Sequence, residues 1–194
     1  PRHAPIVLAE GKAPKNLVRP TGVSLTDDQR RRQFRAKLGK RFSQGRRGTN
    51  TEVYNQSYDQ AASLMAKKEI FDFGQFSSKE IERYGKHPFG RHCLMARNLV
   101  EEGVTFTKIE HRNYDTHSEN FNFHLEHLGE FDRPFAAFVG DFSERGPLDH
   151  TMIIVICEFG HTPNINSKIG RHHWGTSCSI ALCGFGIKGV SPSA

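Results

Sequence analysis

Long hydrophobic runs are missing from this 194-residue chain. The longest, Met152–Cys157, is far shorter than the roughly 20 apolar residues that span a bilayer, so no membrane-spanning segment is expected. Cysteine is scarce. The four present (Cys93, Cys157, Cys178, Cys183) form no C-x-x-C pair, which removes zinc knuckles and thioredoxin-like redox motifs. Cys157 falls inside the apolar run. Cys178 and Cys183 are an odd number apart and on one strand would face opposite sides, so buried free thiols are expected and the redox compartment is left open. There is no internal repeat and no low-complexity tract. No signal peptide is visible either: the chain opens on Pro1-Arg2-His3 rather than on Met and an apolar segment. It stops at Ser191-Pro192-Ser193-Ala194, soon after an expected core strand, and reads as a piece of a longer polypeptide.

What is present is enough apolar material for one real core: a hydrophobic fraction of 36% that includes 15 Phe. The net charge of +6 is concentrated. Residues Arg30 to Arg47 hold nine Lys/Arg and no Asp or Glu, and the remainder of the chain is net acidic. Such a run is either a solvated helix face followed by a Gly-rich loop or a contact surface for an acidic partner. No aromatic stacking pattern or nucleic-acid module accompanies it, so nucleic acid is not the expected partner.

Along the chain, residues 1–50 read as an irregular basic segment with one short apolar run, Ile6-Val7-Leu8, and one helix. Ser24-Leu25-Thr26-Asp27-Asp28 carries N-cap chemistry, and the helix is expected to end near Gly39. Residues 51–194 read as an α/β domain. Helices are expected over 51–68, 78–84, 91–102 and 121–144, with Pro134 kinking the last or opening its second half. Val104 to Ile109 alternates as a strand does, Met152–Cys157 is continuously apolar as in a sheet covered on both faces, and Ser179 to Gly184 is a third strand. Strand, helix, strand at this spacing predicts a βαβ unit and a mainly parallel sheet flanked by helices.

Three polar clusters follow from that topology. Asp115-Thr116-His117 and Glu158-Phe159-Gly160-His161 each come after an expected strand, and His172-His173 enters the third strand from a loop containing Gly170 and Arg171. Loops after parallel strands converge at one sheet edge, where ligands bind. Carboxylates and imidazoles gathered there suit zinc, manganese or iron. Such an ion would acidify water or polarise a phosphoryl or sulfuryl oxygen. Arg171 suits bidentate recognition of a tetrahedral anion. Singly, each piece has a plainer reading: Glu158 as a cap or a partner of Arg171, the double His as a surface pair. His3, His87, His92, His111 and His150 have no comparable setting. His124 and His127 share a helix face expected to look toward solvent.

The order of Arg83-Tyr84-Gly85, Cys93 to Val104, Tyr114-Asp115-Thr116-His117, Glu158 to Asn166 and Gly170-Arg171-His172-His173-Trp174 resembles the domain-of-unknown-function 1501 family over roughly residues 50 to 190. That family is sulfatase-like and assigned to the alkaline-phosphatase superfamily. The resemblance implies a partial alkaline-phosphatase-like α/β core, with Asp115, His117, Glu158 and His173 where that superfamily keeps metal ligands of its second half. The implied ion is divalent, zinc or manganese. The chain has His161 where the family usually has Arg, which adds a ligand or loses an anion clamp. It has His172 for Asp, which removes a carboxylate, and Tyr114 for Trp. The superfamily's nucleophile comes from an upstream portion not in this sequence, and the Cys-x-Pro-x-Arg signature of sulfatases does not occur, so this segment alone is expected to be inactive. Export signals are frequent in the family, which makes a periplasmic or secreted location the expectation.

Two functions are therefore in view. One is a metal-dependent hydrolase of phosphate or sulfate esters, acting on an anionic small molecule or glycan ester, with Asp115, His117, Glu158 and His173 on the metal and His161, His172 and Arg171 as further ligands or anion contacts. The other is a non-catalytic relative with a binding or assembly role, using Arg30 to Arg47 as its contact surface.

Overall fold

The computed structural model describes residues 17–44 and 50–189. The run Ile6-Val7-Leu8 and the last two arginines of the basic stretch, Arg46 and Arg47, lie outside them. The chain divides into two compact units, Pro1–Phe73 and Gly74–Ala194. The boundary expected at residue 50 lies inside the first of these units.

In the first unit Ser24 caps α1 (Leu25–Ser43) by accepting from the Asp27 N–H at 3.0 Å, with Asp27 and Asp28 in the first turn. The helix runs through Gly39 to Ser43, because this glycine sits against the Asn55 amide of α2 (Asn50–Ala66). Arg35 ties the pair together. It donates to Asn55 Oδ1 at 2.8 Å, reaches Asp59 at 3.4 Å and lies 4.2 Å from the centre of the Tyr58 ring. No residue of α1 is buried, so its described arginines and lysines form a solvated face.

The second unit is built on three helices: α3 (Ser78–Tyr84), α4 (Pro88–Glu101) and α5 (Asn120–Arg145). Ser77 and Glu80 form a reciprocal capping box at α3. Pro88 opens α4 at its first turn, and His87 caps it by accepting from the Phe89 N–H at 3.3 Å. Gly90 lets α4 press on the end of α3, since a Cβ there would lie 2.1 Å from the Tyr84 carbonyl oxygen. Phe89, Cys93, Leu94, Met95 and Leu99 of α4 pack with Ala137, Phe138 and Phe142 of α5 to make the core. Full burial of a side chain such as Phe142 stabilises by about 1.5–3 kcal/mol. Pro134 is accommodated inside one continuous helix.

A charged network runs through this core. Arg97, buried to 3% side-chain exposure, donates to Asp141 at 2.6 Å and Glu80 at 2.7 Å, and the Tyr84 hydroxyl donates to Asp141 at 2.8 Å. Burial opposes the Arg97 charge, but its hydrogen bonds to Asp141 and Glu80 outweigh that and raise its pKa. The hydrogen bond from Arg97, against some burial and with help from Ser77, holds the Glu80 carboxyl down at about 2.

The strands differ from the sequence expectation. Residues 104–109 are irregular, with a bend at Thr105, and join no sheet, and Phe106 is exposed. β1 (Met152–Ile156) pairs antiparallel with β4 (Ile180–Gly184), Ile154 opposite Leu182, and β2 (Gly160–His161) pairs antiparallel with β3 (His173–Trp174). No parallel pair forms among the described residues. The physical reason is the form of the connection: residues 157–179 contain the β2–β3 hairpin and no helix, whereas a parallel pairing needs a crossover, usually helical, that returns the chain to the same end. With one partner only, β1 buries Ile153 and leaves Met152, Ile154 and Ile156 exposed, instead of being covered on both faces. The thiols also depart from expectation. All four are free, but Cys93 alone is buried, while Cys157 and Cys178 are exposed and Cys183 is intermediate. No helix among the described residues is long and apolar enough to cross a membrane.

Candidate metal centre

The site is a meeting of two loops with one short hairpin. β2 and β3 pair His161 directly with His173. Residues opposite one another in an antiparallel pair project to the same face, so both imidazoles point one way. Their ring centres lie 5.8 Å apart, and the Phe159 ring packs 4.3 Å from that of His173. Thr162 closes the hairpin: its N–H donates to the His172 carbonyl at 2.8 Å and its hydroxyl accepts from the His172 N–H at 3.1 Å.

The loop bearing Asp115 and His117 is stitched to this hairpin through backbone. The Arg171 N–H donates to the Thr116 carbonyl at 3.0 Å. Asn166 donates from its side-chain amide to the His117 carbonyl at 2.9 Å, while its Oδ1 accepts from the N–H groups of Lys168 (2.8 Å) and Gly170 (2.9 Å). The first turn of α5 is satisfied by the same loop: Glu119 and Asn120 donate their N–H groups to the carbonyls of Lys168 and Ile169. Thr116, buried, donates to Asn120 Oδ1 at 2.6 Å and faces inward, which turns its neighbours Asp115 and His117 outward.

The result is a three-residue cluster. His117 Nε2 lies 3.0 Å and His173 Nε2 3.1 Å from one oxygen, Oδ1 of Asp115. The three donor atoms are mutually within 4.8 Å. Beside them, Nε2 of His161 is buried and has no hydrogen-bond partner. Burial lowers the His161 pKa, with His173 and Arg171 adding to the effect against Asp115, so a neutral ring keeps a lone pair at the cluster.

The other sequence-selected residues fall outside this group. Glu158 lies exposed in the bend ahead of β2 and does not join it. Arg171 turns away from an anion-binding role: its Nε donates to the Thr162 carbonyl and its Nη2 to the His161 carbonyl at 2.7 Å, so its fork braces the hairpin. His172 is exposed, its ring 5.5 Å from that of His117. His127 is buried and His124 half-buried, contrary to the expected solvent-facing side of α5. Their rings pack as aromatics against Tyr114 and Phe123. The residue that sequence reading missed is Asn166. Its signal was an Asn four residues before a Gly, the pattern of a side chain closing its own turn.

The second unit is thus a mainly helical frame with two small antiparallel sheets, on which a loop and a short hairpin bring Asp115, His117 and His173 together. The chain matches the family model described as protein of unknown function (DUF1501) over residues 1–191, and it belongs to that family. No curated protein and no solved structure matches the chain.

Proposed function

We propose that this chain carries part of a divalent-metal centre for hydrolysis of phosphate or sulfate esters, in a sulfatase-like, alkaline-phosphatase-like domain. The observation that carries the reading is the convergence of His117 and His173 on one oxygen of Asp115. The unpartnered, buried Nε2 of His161 beside them supports it. Oxygen and imidazole donors of this kind suit zinc or manganese. Asp115, His117 and His173 would hold the ion, and His161 would supply a further donor. The bound ion would polarise an ester oxygen or acidify water. The chain's own contribution is positioning. Asn166 and Arg171 fix the backbone on either side of the donors, and Phe159 shields one side of His173. Glu158 has a place in this reading only if it swings toward the cluster on binding. The reading assigns no nucleophile among the described residues.

A second reading is favoured by one observation, the engagement of the Arg171 guanidinium by backbone carbonyls. It is a non-catalytic relative, with the basic face of α1 as a contact surface. Assay of the intact gene product against 4-nitrophenyl phosphate and 4-nitrophenyl sulfate, with zinc or manganese added, separates the two. Turnover abolished by His173→Ala supports the hydrolase. Metal-bound protein without turnover on either ester supports the relative.

A further inference from the structure

A second group of imidazoles surrounds Glu130 on α5, apart from the Asp115 cluster. His87 Nε2 lies 3.2 Å from Glu130 Oε2, His127 Nδ1 3.3 Å and His111 Nε2 3.5 Å. The donor atoms of His87, His111 and Glu130 are mutually within 4.8 Å. These residues come from three separate places: the cap of α4, the irregular segment before Asp115, and the middle of α5. None was brought forward by sequence spacing, although His127 and Glu130 lie three apart on one helix face.

His111 is the informative member. Its side chain is only 8% exposed, yet its Nε2 makes no hydrogen bond. Its other nitrogen, Nδ1, is 2.7 Å from the Tyr114 hydroxyl. With no metal, a proton on Nε2 points at the Glu130 carboxylate; with one, the ring proton sits on Nδ1 and donates to the Tyr114 hydroxyl, leaving Nε2 free for the ion. That is the arrangement of a metal-ligating histidine, whose outer nitrogen donates to a fixing partner.

We infer that His87, His111 and Glu130 form a second divalent-cation site of zinc type, with Tyr114 and His127 as positioning residues. Two histidines and one glutamate are a complete protein ligand set for zinc that keeps a position open. His127 is not a fourth ligand. Its ring stacks on that of His111 at 4.1 Å between centres and 14° between planes. A metal lies in the plane of each imidazole that binds it, and two stacked rings share no such point. His127 instead steadies the carboxylate. His87 and Glu130 also line a cleft of about 290 Å³, whose walls carry Lys86, Glu126 and Arg133 as well. Ligation through His87 Nε2 puts the ring proton on Nδ1 and gives up the cap on the Phe89 N–H. That bond is long, at 3.3 Å, and far weaker than a metal–ligand bond.

The test is zinc binding by the full chain, measured by equilibrium dialysis, with cobalt(II) absorption as the geometric readout. The Asp115→Asn/His173→Ala double variant isolates the second site and is expected to bind one zinc, with intense visible bands on cobalt substitution. Adding Glu130→Gln is expected to weaken that binding by at least 100-fold. Adding His87→Asn does the same while keeping a good N-cap, so loss of fold is not the cause; circular dichroism is expected to be unchanged. Tyr114→Phe is expected to cost roughly 10-fold to 100-fold. A double variant that binds no zinc, or one whose binding is unmoved by both Glu130→Gln and His87→Asn, overturns the site. Neither result bears on the Asp115 cluster, which those variants leave out.

Discussion

Gly170 packs so closely under the backbone of His117 that a Cβ on it would lie 1.9 Å from the His117 carbonyl oxygen. The Gly-Arg-His-His loop can reach the Asp-Thr-His loop only because that position has no side chain. Gly170→Ala is expected to force the loops apart, lowering stability by about 1–3 kcal/mol, as overpacking does. Zinc affinity at Asp115 should fall with it. Denaturant melts and zinc titration of the variant check both, and unchanged values would show that the loops are not tightly apposed.

Asn166 closes the same junction with three hydrogen bonds. Asn166→Ala leaves the Lys168 and Gly170 N–H groups without that acceptor and is expected to cost about 1–3 kcal/mol. Asn166→Asp keeps the acceptor and loses only the donor to His117, so it should cost less. The order of the two in urea melts is the readout.

The Arg97–Asp141–Glu80 network sets a pH window. The Glu80 carboxyl titrates near 2 in the folded protein against an ordinary 4.5, so its contribution is present in full above about pH 4.5 and is lost as the pH falls toward 2. Unfolding free energy measured across that window should decline, and Glu80→Gln should flatten part of the decline. Asp141→Ala removes the buried carboxylate shared by Arg97 and Tyr84, leaves Arg97 to Glu80 and Glu101, and is expected to cost about 3–5 kcal/mol.

Thiol accessibility separates the cysteines. Burial pushes the Cys93 thiol up to about 12, whereas Cys157 and Cys178 are exposed. An aromatic disulfide reagent should label Cys157 and Cys178 in the native state and reach Cys93 only after denaturation. Native-state labelling of Cys93, located by peptide mapping, would contradict the packing of α4.

The sequence made the helices legible because their punctuation is local: Ser24 and Ser77 precede helices, and Gly85, Gly103 and Gly146 follow them, whereas Pro88, expected in a break before residue 91, opens α4. It also selected Asp115, His117, His161 and His173, which the structure brings together, by placing them on loops. Strand partnership was not legible. Val104 to Ile109 alternates as a half-buried strand does, but alternation says nothing about which neighbour supplies the hydrogen bonds. Glu158 looked equivalent to Asp115 because both follow expected strands, and only the bend ahead of β2 separates them in space. The imidazoles around Glu130 escaped notice because a histidine can bury either as an aromatic ring or as a donor, and its sequence neighbours do not say which.

The central claim is that Asp115, His117 and His173 share a divalent ion. Crystals of the protein grown with zinc, with data collected above and below the zinc absorption edge, test it most directly. The account predicts an anomalous peak bounded by Asp115 Oδ1, His117 Nε2 and His173 Nε2, with His161 beside it. Zinc-grown crystals with no peak between those three side chains would contradict it.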